Sequence, residues 1–211
     1  MSDFHYGGQA VIEGVMIRGK RNMVVAVREP SGNILTHTEP LTSVIYTSPL
    51  GGLPFVRGLV MLWDTLALGL RGLTFSADIA LGEEDVEFGG PVVWGSLLSA
   101  LAIGVAIFFI LPALLVGFLD RYISSSLASN IIEGLTRLAL FLLYVFAIGF
   151  IPDIKRVFAY HSAEHKIVNA YEAGAPLEPA TVEGYSTAHP RCGTAFILGV
   201  MVIAIIVFAL L

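Results

Sequence analysis

The sequence has 211 residues, of which 55% are hydrophobic and only 14% charged, and its mean hydropathy is +0.78. A typical soluble domain is about 25% charged, so this composition excludes an ordinary cytosolic globule, and it excludes a disordered chain, which needs low hydrophobicity and high charge. The single cysteine excludes a disulfide scaffold, and a net charge of −5 leaves no basic footprint for nucleic acid.

What remains is a small, mainly α-helical integral membrane protein. Residues 1–49 hold most of the polar sequence outside the apolar runs and are expected to form a cytoplasmic, β-containing region. GGQAVIEGVMIRGK carries glycines at 7, 8, 14 and 19. Their spacing is neither that of a dinucleotide fingerprint nor that of a phosphate loop; it suits tight backbone turns. Glu13 falls inside the apolar, strand-like run Ala10–Ile17. It reads either as an exposed strand charge or as a carboxylate facing the histidine cluster described below. Met23–Arg28 and Asn33–Thr38 flank the turn signal Glu29-Pro30-Ser31-Gly32 and predict a β-hairpin. Ser43–Thr47 predicts a further strand.

Residues 50–88 are a separate segment. Pro54–Leu81 is apolar but carries Arg57, Asp64, Arg71 and Asp78, each seven residues after the last. Seven residues are nearly two helical turns, so the four share one stripe. A spanning helix would carry such a stripe at high cost. The expectation is one or two helices at the membrane interface, or dipping in against the other helices. The stripe itself reads as a solvated face or as a buried polar seam serving assembly or transport.

Three uncharged or nearly uncharged runs follow. Residues 91–119 contain no ionisable side chain and exceed the roughly 20 apolar residues a span requires. Pro112 predicts a kink, and Trp94 an interfacial anchor. Gly95, Ser99, Ala102 and Ala106 form a near-helical row of small residues that would let helices approach closely in a homo-oligomer. Residues 130–151 form the second span. Glu133 and Arg137 lie four apart in its first two turns, where they can pair and the arginine can snorkel. Residues 193–211 form the third. Lysines and arginines gather before the first span and again between the second and third, at Lys155, Arg156, Lys166 and Arg191. The positive-inside rule then places the N-terminus and residues 153–192 in the cytoplasm of a multi-pass protein of the bacterial inner membrane. The opening MSDFHYGGQA is polar and lacks the apolar core of a signal peptide.

Chemistry concentrates in residues 153–192. Three of the five histidines and the only cysteine fall between His161 and Cys192. His161 and His165 are four apart on a helical face and can chelate one metal ion. H-x-x-E-H is the order found in inverted zinc peptidases, where the glutamate between the ligands, here Glu164, acts as general base. Glu172 shares the face, and Gly174 and Pro176 end the helix. His189 and Cys192 then return as H-x-x-C, and a thiolate among the ligands favours Zn²⁺ over harder cations. If His161, His165, His189 and Cys192 all bind, the site is closed and structural; if only three do, Glu164 has a catalytic role. Asp153, Asn169 and Glu172 are candidates for orienting an imidazole. Lys166 and Arg191 read as ordinary cytoplasmic charge or as holders of an anionic group.

GGQAVIEGVMIRG, RVFAYHSAEHKIVNAYE and HPRCGTAF, in that order, resemble the YqhQ-like bacterial membrane proteins, a domain-of-unknown-function group described as predicted metal-dependent enzymes. The resemblance implies metal ligation by His161, His165, His189 and Cys192 and an acid/base role for Glu164. Members of that group continue past the third span with more apolar sequence and a charged tail, so a ligand or helix supplied from there would lie outside these 211 residues. Two functions are expected to compete. One is a zinc-dependent hydrolase acting on a peptide or lipid-like substrate at the bilayer surface. The other is a membrane scaffold, channel or transporter subunit in which zinc only staples helices.

Overall fold

A computed structural model describes residues 6–41, 54–81, 91–119 and 122–209. In chain order the elements are β1 (Gly7–Val11), β2 (Gly14–Arg18), β3 (Asn22–Arg28), β4 (Ile34–Pro40), α1 (Pro54–Leu81), α2 (Pro91–Val105), a π-helical turn (Ala106–Ile110), α3 (Leu111–Leu119), α4 (Ser126–Ile148), α5 (Pro152–Glu172), α6 (Pro179–Val182) and α7 (Gly193–Ala209). The chain divides into two compact bodies. One comprises Met1–Phe88 with Lys155–His189, the other Gly89–Ile154 with Pro190–Leu211.

In the first body β1 to β4 form an antiparallel meander in sequence order. The strict alternation of β3 explains its seat. Met23, Val25 and Val27 are buried while Asn22, Val24 and Arg28 are exposed, as a period of two dictates for a sheet covered on one face. With Val11, Met16 and Leu68 they make the core. The predicted hairpin is present, with Met23 opposite Glu39 and Arg28 opposite Ile34. Gly32, at φ +90°, supplies the left-handed residue of its connection. The strand expected at Ser43–Thr47 lies outside the described residues.

Ala10–Ile17 is two strands rather than one. Ile12 and Glu13 form a two-residue turn between β1 and β2, and Glu13 takes φ +54°. Glu13 is therefore at a hairpin tip, not on a strand. The fold needs glycine at the next position. Gly14 pairs with Val27, and a Cβ there would overlap the Ala26 carbonyl.

Helix α1 is one continuous helix of 28 residues, not two. Asp64, Leu68, Gly69, Gly72, Ser76 and Ala77 are its buried positions. Their spacing is the three-to-four repeat of a helix with one covered face. Its small residues let it lie close to the sheet. A Cβ at Gly72 would come within 3.1 Å of Met16 Sδ, and one at Gly69 within 2.5 Å of Gln9 Oε1. Ser76 Oγ accepts the Ile12 backbone N–H at 3.1 Å. The charged stripe marks the rim of this contact. Arg18 of β2 donates to Asp64 at 3.2 Å, and Arg71 donates to Glu39 of β4 at 2.7 Å. Asp78 is exposed, and the side chain of Arg57 is outside the described set. The stripe is thus not simply a solvated face, since Asp64 and Arg71 pair with the sheet.

Among the described residues, three helices are long and apolar enough to cross a membrane: Gly58–Ala80, Trp94–Leu119 and Ser126–Ile148. The second and third match expectation. The first was expected to lie at the interface, and Gly193–Phe208, expected as a span, is a shorter apolar helix. In the second body, Pro112 is the second residue of α3. It follows a π turn in which the Leu111 N–H reaches the Ala106 carbonyl, a wider turn that accommodates a residue lacking its own donor. Helix α4 starts at Ser126 with Ser125 as N-cap, accepting from Ala128 N–H at 3.4 Å. It packs on α7, where Gly134 makes room for Ile205. The small-residue row Gly95, Ser99, Ala102 and Ala106 is exposed in this body.

Because a methyl group at position 14 has only backbone to displace, Gly14→Ala is expected to cost about 1–3 kcal/mol. Gly7→Ala, where nothing lies within 4 Å, should be close to neutral. Chemical denaturation midpoints of the two variants provide the check; equal midpoints would contradict the β2–β3 packing.

Candidate metal centre

Helix α5 runs for 21 residues, begins at Pro152 and carries Asp153 in its first turn, both favourable at a helix N-terminus. It ends where Gly174 adopts φ +68°. Gly174 N–H bonds the Tyr171 carbonyl at 3.0 Å and Ala175 N–H the Ala170 carbonyl at 3.0 Å. This is the paired closure of a Schellman motif. The stop is the one the sequence predicts.

The helix sets His161, Glu164 and His165 on adjoining positions of one face. Glu164 and His165 are 4% and 5% exposed, and His161 is half-buried. The rings of His161 and His165 have centres 4.3 Å apart. His165 Nδ1 lies 2.6 Å from the Thr187 carbonyl. A carbonyl only accepts, so Nδ1 carries the proton and Nε2 keeps its lone pair. That Nε2 lies 3.6 Å from Glu164 Oε2, and His161 Nδ1 lies 4.0 Å from the same oxygen. Burial pushes the Glu164 carboxyl above its ordinary range, opposed by His165 and His189. Burial also lowers His161, helped by the neighbouring His165, which favours the neutral imidazole that a metal requires.

The returning segment is held by its carbonyls. Asn169 Nδ2 donates to Ser186 and Ala188 at 2.9 and 3.0 Å, and Lys166 Nζ donates to the Glu183 carbonyl at 2.7 Å. These bonds place His189, which is 9% exposed, with its ring centre 5.8 Å from that of His165. Its Nε2 is 3.6 Å from Glu172 Oε2, so of the three candidates for orienting an imidazole Glu172 is the one that faces a histidine ring. Asn169 fixes the loop rather than an imidazole, and Lys166 is engaged with that loop rather than presented to an anion. Asp153, Arg191 and Cys192 belong to the other body. Cys192 directly precedes α7 and follows His189 by three residues.

The N-terminal sheet supplies what residues 153–192 do not show. A Cβ on Gly8 of β1 would overlap the Glu164 side chain, so that strand packs directly on the carboxylate. At the β1–β2 turn, the Arg156 guanidinium donates through two nitrogens to both oxygens of Glu13. Tyr160 OH donates to Glu13 as well, at 3.3 Å. Arg156 holds the Glu13 carboxyl below its ordinary range. Tyr6 packs edge-on against Tyr171, ring centres 4.8 Å apart. Of these, Glu13 alone carried a signal, as a carboxylate weighed for this cluster. Its partners Arg156 and Tyr160 lie five residues and one residue before His161, so Glu13 holds the helix that carries the site.

Asn169→Ala removes two bonds worth roughly 1 kcal/mol each, so amide exchange over Ser186–His189 is expected to speed up tenfold or more. Hydrogen-exchange mass spectrometry reads this directly. Unchanged exchange would mean that the loop is held by something other than Asn169.

A profile of the family described as "Protein of unknown function (DUF1385)" matches residues 53–211. The chain is also 34% identical over 221 aligned residues to the "Uncharacterized protein YqhQ" of Bacillus subtilis (strain 168), covering 97% of this chain and 69% of that one. No solved structure matches. The chain therefore belongs to the YqhQ-like, DUF1385 family.

Proposed function

We propose that the protein is a zinc-dependent hydrolase acting at the cytoplasmic surface of the bacterial inner membrane on a peptide or lipid-like substrate. One observation carries this reading. Glu164 is a buried carboxylate whose ionic neighbours among the described residues are histidines alone. A buried charge is ordinarily paired or coordinated to a metal, and no lysine or arginine fills that role here.

The donor set fits zinc. His165 offers Nε2 with its lone pair fixed by the Thr187 bond, and His161 offers a neutral imidazole. Cys192, reached within three residues of His189, is the soft ligand that favours zinc over magnesium or calcium. A zinc ion so held supplies Lewis acidity, lowering the pKa of water toward about 7 and polarising a carbonyl oxygen. Glu164 takes a proton at its carboxylate oxygen, and its raised pKa brings it nearer the working pH of a general base. Thr187 fixes the imidazole of His165, Glu172 faces that of His189, and Gly8 excludes water from one side of Glu164.

The seat of α1 supports a membrane-surface location. The sheet covers its 64–79 face, and sheet edges with unpaired backbone groups do not occur in hydrocarbon. Its other face presents Leu59, Leu62, Trp63 and Leu66, each more than half exposed. This suits a helix lying in the interface, although its length and composition would allow it to cross. A second reading, a scaffold or transporter subunit with a stapling zinc, is favoured by the burial of His189 beside His165. Four protein ligands would close the site.

Glu164→Gln should abolish hydrolysis across a panel of ester and amide substrates while zinc content stays at the parental level; His161→Ala should lose the zinc. Zinc lost from Glu164→Gln would make Glu164 structural, and four protein ligands in the X-ray absorption spectrum would favour stapling. Glu164 must be ionised to act and its folded pKa is raised, so activity should fall as pH drops through a value above 4.5. The same shift makes ionised Glu164 a cost to stability that grows as pH rises through that value. Glu164→Gln should therefore be at least as stable as the parent at neutral pH. For α1, quenching of Trp63 by brominated lipids, with Trp94→Phe, should be strongest for bromines near the headgroups. Maximal quenching from the bilayer centre would place α1 across the membrane.

A further inference from the structure

The second body contains a cavity of about 560 Å³ between the π turn, α4 and α7. Its size falls within the range of small-molecule sites. Three polar side chains, Asn130, Glu133 and Arg137, meet at it, and the remaining walls are apolar, with Phe108, Phe109 and Met201 among them. A polar cluster at this position is unusual, because α4 and the Trp94–Leu119 segment are long and apolar enough to lie within a bilayer. Ionisable residues there are expensive and face a cavity or one another.

The cluster is not satisfied internally. Arg137 pairs with Glu133 through a single nitrogen and lies over the Phe109 ring at 5.8 Å. A guanidinium has five N–H donors, and Glu133 takes up one nitrogen of Arg137, whose side chain is 36% exposed and lines the cavity. Asn130 is already committed, donating to the Phe208 carbonyl at 3.0 Å. Glu133 balances the charge of Arg137, so a second anion is not what is missing. The unmet requirement is a neutral acceptor attached to something apolar.

We propose that this cavity is a binding site for the acyl-ester part of a glycerolipid. A lipid ester carbonyl accepts from the Arg137 guanidinium, and its acyl chain lies along Phe108, Phe109 and Met201. The neutral Glu133–Arg137 pair distinguishes this site from one for a free fatty acid, whose carboxylate would add an uncompensated charge beside Glu133. The inference stands apart from the histidine cluster and does not rest on the proposed hydrolase.

Native mass spectrometry of the purified full chain can test it, using diacyl phosphatidylglycerol and its diether analogue, which lacks only the carbonyls. The expected result is one diacyl lipid retained about tenfold more strongly than the diether, the ratio given by one hydrogen bond of roughly 1.4 kcal/mol. Filling the cavity by Ala204→Phe should abolish retention of both lipids. The double variant Glu133→Gln with Arg137→Gln should keep an acyl chain but lose the ester preference. Met201→Trp is the second cavity-filling variant, to be read where circular dichroism shows that Ala204→Phe has not folded. Equal retention of ester and ether lipids would overturn the proposal. So would retention unaffected by cavity filling, or displacement of the diacyl lipid by equimolar oleate.

Discussion

The candidate centre depends on one close approach, that of Gly8 in β1 to the carboxylate of Glu164 in α5. A carboxyl group on a helix surface would be hydrated, with an ordinary acidity and no special role. Covered by a strand whose backbone can come this near only because it lacks a Cβ, it is desolvated, and its acidity shifts toward neutrality. The same approach carries the β1–β2 turn to Arg156 and Tyr160, so the sheet grips α5 at two points about two helical turns apart. The sheet in turn is held by α1, through the core of Val11, Met16, Met23, Val25, Val27 and Leu68.

This arrangement explains how a chain so poor in charge accommodates polar chemistry. Its ion pairs sit at boundaries. Arg18–Asp64 and Arg71–Glu39 border the helix–sheet contact, Glu13–Arg156 joins turn to helix, and Glu133–Arg137 borders a cavity. Charge is expensive to bury alone, so each occurs with an opposite partner. Among the described residues Glu164 is the buried carboxylate whose ionic neighbours are histidines. That asymmetry is the physical reason for reading a cation into its surroundings.

Much of the architecture was legible from pattern. The 23–28/33–38 hairpin followed from alternation around a Gly-containing turn, and α5 ended at Gly174 because only a left-handed residue closes the helix there. The turn at Ile12–Glu13 was only half legible: Gly14 signalled a tight turn nearby, but the apolar run Ala10–Ile17 read as one strand through it. The seven-residue stripe on α1 was correctly placed on one helical face. Its partners, Arg18 and Glu39, are 46 and 32 residues away along the chain, and helical periodicity carries no information about them.

By itself the sequence determined which segments are apolar, where the helices stop, and that His161, Glu164 and His165 share a helical face. Those properties follow from local periodicity and local backbone preference. Only the tertiary structure decided that Gly8 covers Glu164, that Thr187 fixes the tautomer of His165, and that Lys166 serves a loop instead of a ligand. Each of these is a contact between segments distant in sequence or across an irregular loop. Their energies depend on burial and distance, which are properties of the folded chain and not of any stretch of it.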